Sequence, residues 1–572
     1  MTVAPHVGAR IEAVAPRTVT DSGDRIRIFV LLLVGIAIHT WLIANTYVTA
    51  KDSLGFARYA LQLQEPSKSR IPQPGEPPVT VVDVLRKQDH PPGFPVAILI
   101  VSAAVKPLYH ASVQDQILLS AQIASAIAGI LTVFPSYWLG RSMFGKFAGF
   151  AAALLYQLLP VAAHETSDGL TEGPYIFLLA TALALGVRAV KKPSVGWFLL
   201  CGLAVGASYL VRPEGLIVGL AVGLIVIVLA ILRNYPRRHA LAWLTALVVG
   251  ALIPAAPYMI LIGGITNKPT GNQMLNKIPN PREQLSKPNQ SSIASKSPVF
   301  ADWYDRNQDG PKVVWAAKVI ALKTLKVFHY LPAVFAILGL VIALRRVRHE
   351  PWLGVPIAVM VVNLAVLFAL GTLKADDHSY ISERHCMPLG FVGLAFAGGI
   401  LAELPRLTAR WFGESSFWTG WKVPITWLFI MAVSCIPAAI KPAHESRVAH
   451  KYAGLYLARE GVLQQDDILV DPDEWAGFYS GRTLRRIDPD NPKCKYKFAV
   501  LDADDVKPKE KSEGGRTPKP RLGLAQNIAN DGSNELVYWW PELEPTETNE
   551  TEKRKEIESK AKVLVYRLKN TD

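Results

Sequence analysis

Long apolar runs separated by short charged loops fill residues 26–440, whereas 1–25 and 442–572 are polar and rich in charge. A mostly apolar run of 18 or more residues is long enough to cross a bilayer core, and about eleven segments meet that rule. They lie near 26–47, 114–138, 147–163, 173–189, 195–211, 215–232, 240–262, 324–344, 352–371, 386–405 and 423–440. The pattern predicts a mainly α, polytopic transmembrane helical bundle. Residues 93–110 are apolar but short, and counting them as a span would invert every later loop. They read as a re-entrant or interfacial helix closing a long first external loop, 48–113.

Charge orients this bundle. One set of short loops carries Arg141 and Lys146; Arg188, Lys191 and Lys192; Arg233, Arg237 and Arg238; Arg345, Arg346 and Arg348; and Arg406, Arg410 and Lys422. The alternate set carries only Arg212, Lys374 and Arg384. The positive-inside rule places the first set, with the N-terminal tail 1–25, in the cytoplasm, and an odd span number puts the C-terminus outside. The net charge of +14 is thus largely spent on topology and does not argue for nucleic acid. Charged residues make up 19% of the chain, short of the ~25% of soluble proteins. The first apolar stretch is longer than the core of a signal peptide and reads as a retained span. Of four cysteines, Cys201, Cys386 and Cys435 lie in or at spans and only Cys494 in the tail, so no disulfide framework is readable.

The tail, 441–572, opens on an amphipathic segment, AHESRVAHKYAGLYLARE, followed by strand-like runs ILVDP, YKFAVLDAD, ELVYWWP and KVLVYRL. These predict a small extracytoplasmic α/β domain. The stretches VKPKEKSEGGRTPKPR and ELEPTETNETEKRKEIESK read as loops or disorder. Trp539 and Trp540 are candidate interface anchors. The external loop 263–323, dense in Asn, Pro and Lys, reads as plain surface loop.

With that topology, polar chemistry collects on the outer face. Asp52 follows the first span, His90 sits in QDHPPGFP, and Asp168 and Glu172 lie in AHETSDGLTEGPY. Arg212 and Glu214 form YLVRPEGL, and Asp376, Asp377, His378, Glu383, Arg384 and His385 crowd KADDHSYISERHCMPL. Phe56, Tyr59 and Leu63 after Asp52 recur at helical spacing, as in an interfacial helix, and an acid at such a helix start also serves as an N-cap. His39, Gln122 and Gln157 inside spans read as inter-helix hydrogen-bond partners.

The order of these elements resembles a known superfamily. An acid after the first span, a His-Pro-Pro element, the turn Gly140-Arg141-x-x-Phe144-Gly145, an acidic second external loop and Arg-Pro-Glu-Gly are similar to the GT-C membrane glycosyltransferases. The nearer branch holds protein O-mannosyltransferases and bacterial lipid A aminoarabinose transferases. That resemblance implies an enzyme of a bacterial inner membrane that transfers a sugar from a polyprenyl phosphate to a lipid, glycan or protein acceptor outside the cytoplasm. It implies Asp52 and Asp168 as catalytic acids, with Asp52 as base. Arg384, Arg212 and His385 would hold the donor phosphate, although family members carry Tyr where this chain has His385. His90, Glu172, Asp376, Asp377 and His378 remain substrate or metal candidates. Whether a metal takes part stays open; Asp52, Asp168, Glu172 and His90 are ligand types that suit Mg or Mn. The partners implied are the polyprenyl-phosphate sugar, membrane lipids and an unnamed acceptor. The alternative is a transporter or flippase of lipid-linked sugar, whose ionisable groups would sit near the midplane on broken helices.

Overall fold

The computed structural model describes residues 22–68, 77–268, 312–373, 381–412, 420–459, 462–463, 467–481, 495–506, 520–542 and 549–569. Each apolar run predicted to span coincides with helix. Among the described residues, eight helices are long and apolar enough to cross a membrane, including α1 (Ser22–Asn45), α9 (Glu172–Lys191), α12 (Arg237–Ile262), α15 (Gly354–Leu373) and α16 (Glu383–Phe412). The second span is two abutting helices, α5 (Val113–Leu131) and α6 (Val133–Phe144). The third is a pair bent by 61°, α7 (Lys146–Leu158) and α8 (Pro160–Ser167), with Pro160 opening the second half. The fifth, α10 (Val195–Val211), has 17 residues, and α11 (Leu216–Ile231) follows it after a short turn.

One predicted span departs from expectation. The run 324–344 straddles a 106° bend between α13 (Lys312–Val327) and α14 (Leu331–Arg346). Its cause is local backbone geometry: His329 and Tyr330 take φ of 51° and 66°, left-handed values that cannot continue a right-handed helix. The second helix therefore runs on in a new direction.

The helices pack through small residues. A Cβ on Gly202 or Gly206 of α10 would run into the Leu247 or Ala251 carbonyl of α12, and one on Gly339 of α14 into the Phe396 carbonyl of α16. Close backbone approach takes the place of the hydrophobic driving force that lipid cannot supply. His39 joins α1 to α8 by meeting Thr166 Oγ1 at 2.9 Å, and Gln157 donates to the Gly129 carbonyl at 3.0 Å. Both act between helices, as their place inside spans suggested; Gln122 Nε2 has no hydrogen-bond partner.

Basic loop residues gather at one end of the bundle. Lys191 donates to the Ser142 carbonyl at 3.0 Å and lies 4.7 Å from the Trp352 ring, and Arg346 sits over Phe144. There Asp24, 1% exposed, accepts from Tyr137 at 2.5 Å and pairs with Arg141 at 2.8 Å and Arg27 at 3.4 Å. Asp24→Ala would strand Arg141 without its counter-ion. The expected loss is about 2 kcal/mol, less than for a fully buried pair because both arginines reach solvent. A thermal melt in detergent checks this, with Asp115→Ala as a comparison at the opposite end.

At that opposite end, the first loop folds into α2 (Lys51–Gln64), α3 (Val81–Lys87) and α4 (Gly93–Val105). The apolar stretch at 93–110 is thus a 13-residue helix, its Phe94 and Ile98 fully buried in the main core. The tail docks on this same end. Its amphipathic segment forms α18 (Val448–Leu457), after α17 (Lys422–Ala439) closes the bundle. The four predicted strands are β1 (Asp467–Val470), β2 (Lys495–Asp502), β3 (Glu535–Trp540) and β4 (Val563–Arg567), in the order β1-β2-β4-β3. The β1 and β2 strands pair in parallel and the others antiparallel.

Two expectations about the tail need correction. Glu550–Lys560, read as loop or disorder, is a helix: Ile557 is buried in the tail core, and Arg554–Glu558 and Glu556–Lys560 pair one turn apart. A single buried Ile outweighs the charged composition. Trp540 is not a membrane anchor here but stacks on Tyr452 of α18 at 5.4 Å, while Trp539 packs against the opposite core of the sheet. Residues 507–519 and Cys494 lie outside the described residues.

Candidate active site

The site forms where five chain segments meet. Asp52 lies in the first turn of α2 but is not its N-cap; Ala50 holds that position without a side-chain bond. Instead Asp52 Oδ2 meets Arg384 Nη1 at 2.7 Å, from the first turn of α16. Burial would by itself raise the Asp52 carboxyl, but the Arg384 guanidinium, with His90 and Arg212 beyond, holds it below the usual carboxylate range. Arg384 Nε faces a second carboxylate, Glu165 Oε2 on α8, at 3.9 Å. That oxygen is buried and has no hydrogen-bond partner.

Arg212 forms a parallel pair. Its Nη1 binds Glu172 Oε1, at the start of α9, and its Nε lies 3.7 Å from Glu214, which Lys268 meets at 3.0 Å. The guanidinium rests 5.3 Å over the Tyr175 ring. His90 packs on Phe56 with ring centres 5.2 Å apart; burial, then the Lys268 and Arg212 charges, push its imidazole down to about 4, so it is neutral. His385 Nδ1 accepts from the Ser382 backbone N–H at 3.1 Å, which leaves its ring proton on Nε2. Asp376, Asp377 and His378 lie outside the described residues.

Between the two arginines opens a small cavity. Arg212, Glu214, Arg384, His385 and Tyr175 line one part, and Ile217, Val366, Leu367 and Leu370 line the rest. Two of its lining groups are buried without hydrogen-bond partners: Tyr175 Oη and Asn363 Oδ1. A cationic pole beside an apolar wall suits an anionic lipid head, and unpartnered polar atoms there are costly until something bonds to them.

Asp168 stands apart from this pair of arginines. Its Oδ1 accepts from Ala50 N at 3.0 Å, its Oδ2 meets His444 Nε2 of the tail at 2.7 Å, and its carbonyl accepts from Ser53 Oγ. Burial disfavours charge on His444, but Asp168 outweighs it and raises the imidazole above 6.5. With the folded value above the unfolded one, this pair contributes fully below pH 6.5 and is lost as pH rises through the raised value. Limited proteolysis across that range should therefore show the tail cut faster at alkaline pH; equal rates would exclude His444 as a titrating tie.

Among the described residues, the one group of His and acid side chains close enough to share a metal ion is His450, Asp473 and Asp502, with ligand atoms within 4.8 Å. It is in the tail, and Arg447 already reaches both carboxylates, at 3.4 and 2.9 Å. Asp52, Asp168, Glu172 and His90 do not form such a group, because each acid is held by a separate cation. Sequence reasoning missed Glu165, Lys268, His444, Tyr175 and Asn363. Glu165 sits in the same acidic loop as Asp168, and Asn363 is a polar residue in an apolar span, a signal in itself.

Among solved structures, the aminoarabinose transferase ArnT from Cupriavidus metallidurans, bound to undecaprenyl phosphate, is similar at TM-score 0.53 and 13% identity, covering 96% of this chain and 98% of that one. The chain has the GT-C glycosyltransferase fold. The apo oligosaccharyltransferase of Archaeoglobus fulgidus, another GT-C protein, matches at TM-score 0.52 and 12% identity, over 84% of this chain and 70% of its own. The family described as dolichyl-phosphate-mannose-protein mannosyltransferase matches residues 89–260 of this chain. No curated protein sequence matches it significantly.

Proposed function

We propose that this protein is an integral membrane glycosyltransferase that moves one sugar from a polyprenyl-phosphate donor to an acceptor hydroxyl, inverting the anomeric centre. The observation that carries this reading is the cavity lined by both Arg212 and Arg384 together with apolar residues such as Ile217, Leu367 and Leu370. The arginines suit a phosphate and the apolar residues a lipid chain, and the departure of that phosphate as a stabilised anion drives the reaction without ATP. In this reading Arg384 and Arg212 receive the leaving phosphate, with His385 and Tyr175 beside them. Asp52 takes the acceptor proton. While Arg384 holds Asp52, the carboxylate is ionised but a weak base; a phosphate drawing on the same guanidinium would strengthen it. Asp168 serves by holding the segment before Asp52.

Native mass spectrometry of the detergent-purified protein tests the donor class. A co-purifying polyprenyl phosphate or its glycosylated form, lost in Arg384→Ala, is the expected result. Bulk phospholipid alone would overturn it. A bound sugar-lipid that crosses vesicles but is never cleaved would favour the transporter.

A further inference from the structure

The segment that presents Asp52 is held from outside the membrane domain. Trp475 Nε1 donates to the Thr49 carbonyl at 2.9 Å, and Lys51 Nζ donates to the Pro472 carbonyl at 3.1 Å. Arg58, farther along α2, donates from Nη1 to Glu474 Oε2 at 2.6 Å and from Nη2 to the Glu474 carbonyl at 3.3 Å, and lies over the Phe478 ring. Asp168 takes the remaining donors, Ala50 N–H and Ser53 Oγ–H. Residues 49–53 are therefore bonded at every position, and the tail supplies partners for two of the five directly and, through His444, steadies the Asp168 side.

The loop that does this is itself rigid. Asp471 accepts from Asp473 N at 3.2 Å and from Gly477 N at 2.7 Å, so its carboxylate closes the turn. Asp473 meets Arg447, which with fully buried His450 also binds Asp502 at the end of β2. Glu474 takes φ of +67°, a left-handed value unfavourable for a residue with a Cβ. Such a conformation persists only where its surroundings fix it, and here Arg58 grips both its side chain and its carbonyl.

We propose that the tail loop 471–475 is a positioning element for the reaction, with Glu474 and Trp475 setting where the first turn of α2 places Asp52 against Arg384. The assignment rests on the glycosyltransferase reading for its kinetic consequence, but not for its mechanical one. A displacement of about 1 Å at a reacting group can cost roughly 100-fold in rate, so loosening this turn acts on kcat rather than on donor affinity.

The test uses the full-length protein in detergent or nanodiscs. Trp475→Phe removes the indole N–H while keeping an aromatic ring, though a smaller one, and Glu474→Gln removes only the charge on Arg58's partner. Each is expected to speed amide hydrogen exchange in residues 49–58, and to lower kcat about tenfold while KM for the polyprenyl-phosphate sugar stays within about twofold. The exchanged pair Arg58→Glu with Glu474→Arg should recover much of the loss that either change causes alone. Unchanged exchange in both single variants would overturn the clamp itself. Faster exchange with unchanged kcat would overturn its positioning role. If the wild type transfers no sugar from any polyprenyl phosphate, the functional reading fails, while exchange in Trp475→Phe still decides whether the tail holds this helix. A variant that melts early is judged by the other, since one keeps the charge pair and the other keeps the indole.

Discussion

Asp52→Asn is expected to lower sugar transfer by at least ~100-fold, the range for loss of a general base, in a protein that still folds. Asn keeps the shape and one acceptor oxygen for Arg384, so the 2.7 Å contact between α2 and α16 has a successor. What disappears is the ability to take a proton. Expression, detergent melting and donor occupancy should stay near wild type, while turnover collapses. Retained turnover would remove Asp52 from the chemistry and leave Glu165, with its unpartnered oxygen, as the acid to examine. The pH profile gives a second reading. Burial alone would raise the Asp52 carboxyl, but Arg384 more than compensates, so in the free enzyme it ionises below 3.8 and the acid limb of kcat/KM lies there. The limb of kcat, which reports the loaded enzyme, should sit higher if bound phosphate shares the guanidinium.

Arg384→Ala is expected to act on both donor and transition state. The guanidinium faces Asp52 and Glu165, so its removal leaves two carboxylates in a poorly solvated site with one cation fewer. Loss of a preorganised group that receives a leaving anion costs ~10²–10³ in rate. Donor binding should weaken as well, which separates this variant from Asp52→Asn. Arg384→Lys should recover little, because an ammonium cannot span a carboxylate and a phosphate with fixed parallel donors. Donor titration by native mass spectrometry, beside single-turnover rates, resolves the two effects. Undiminished donor occupancy in Arg384→Ala would assign the phosphate to Arg212 alone.

Much of the fold was legible because span length is set by an external ruler, the bilayer. A 20-residue apolar run has few other fates, and all such runs became helix. The bend at 329–330 was masked by the apolar run that continues past it; its one local signal was Pro332, which sits in the first turn of α14. In the tail, alternating apolar residues marked the four strands, while Ile557 was too small a signal to rescue a charged stretch from being read as disorder. The site was legible as a set of residue types on one face. Its pairing was not. Whether an acid meets substrate or a counter-ion depends on contacts such as Asp168 with His444, 276 residues apart, which no local spacing encodes. Asp52 and Asp168 were both expected as catalytic acids, Asp52 as the base; in the structure Asp52 pairs with Arg384 and Asp168 with His444 of the tail.

The 106° bend also bears on the bilayer around the protein. With the chain bent by 106° after α13, α14 offers only 16 residues, about 24 Å of helix, against a hydrocarbon thickness of ~30 Å. Arg345 and Arg346 at its end can reach outward to headgroups but cannot lengthen it. A span this short is expected to draw the lipid beside it thinner by several ångströms. Acyl-chain length in the host membrane thereby becomes a variable of the enzyme: short-chain bilayers relieve the mismatch, and thick, sterol-like ones oppose it.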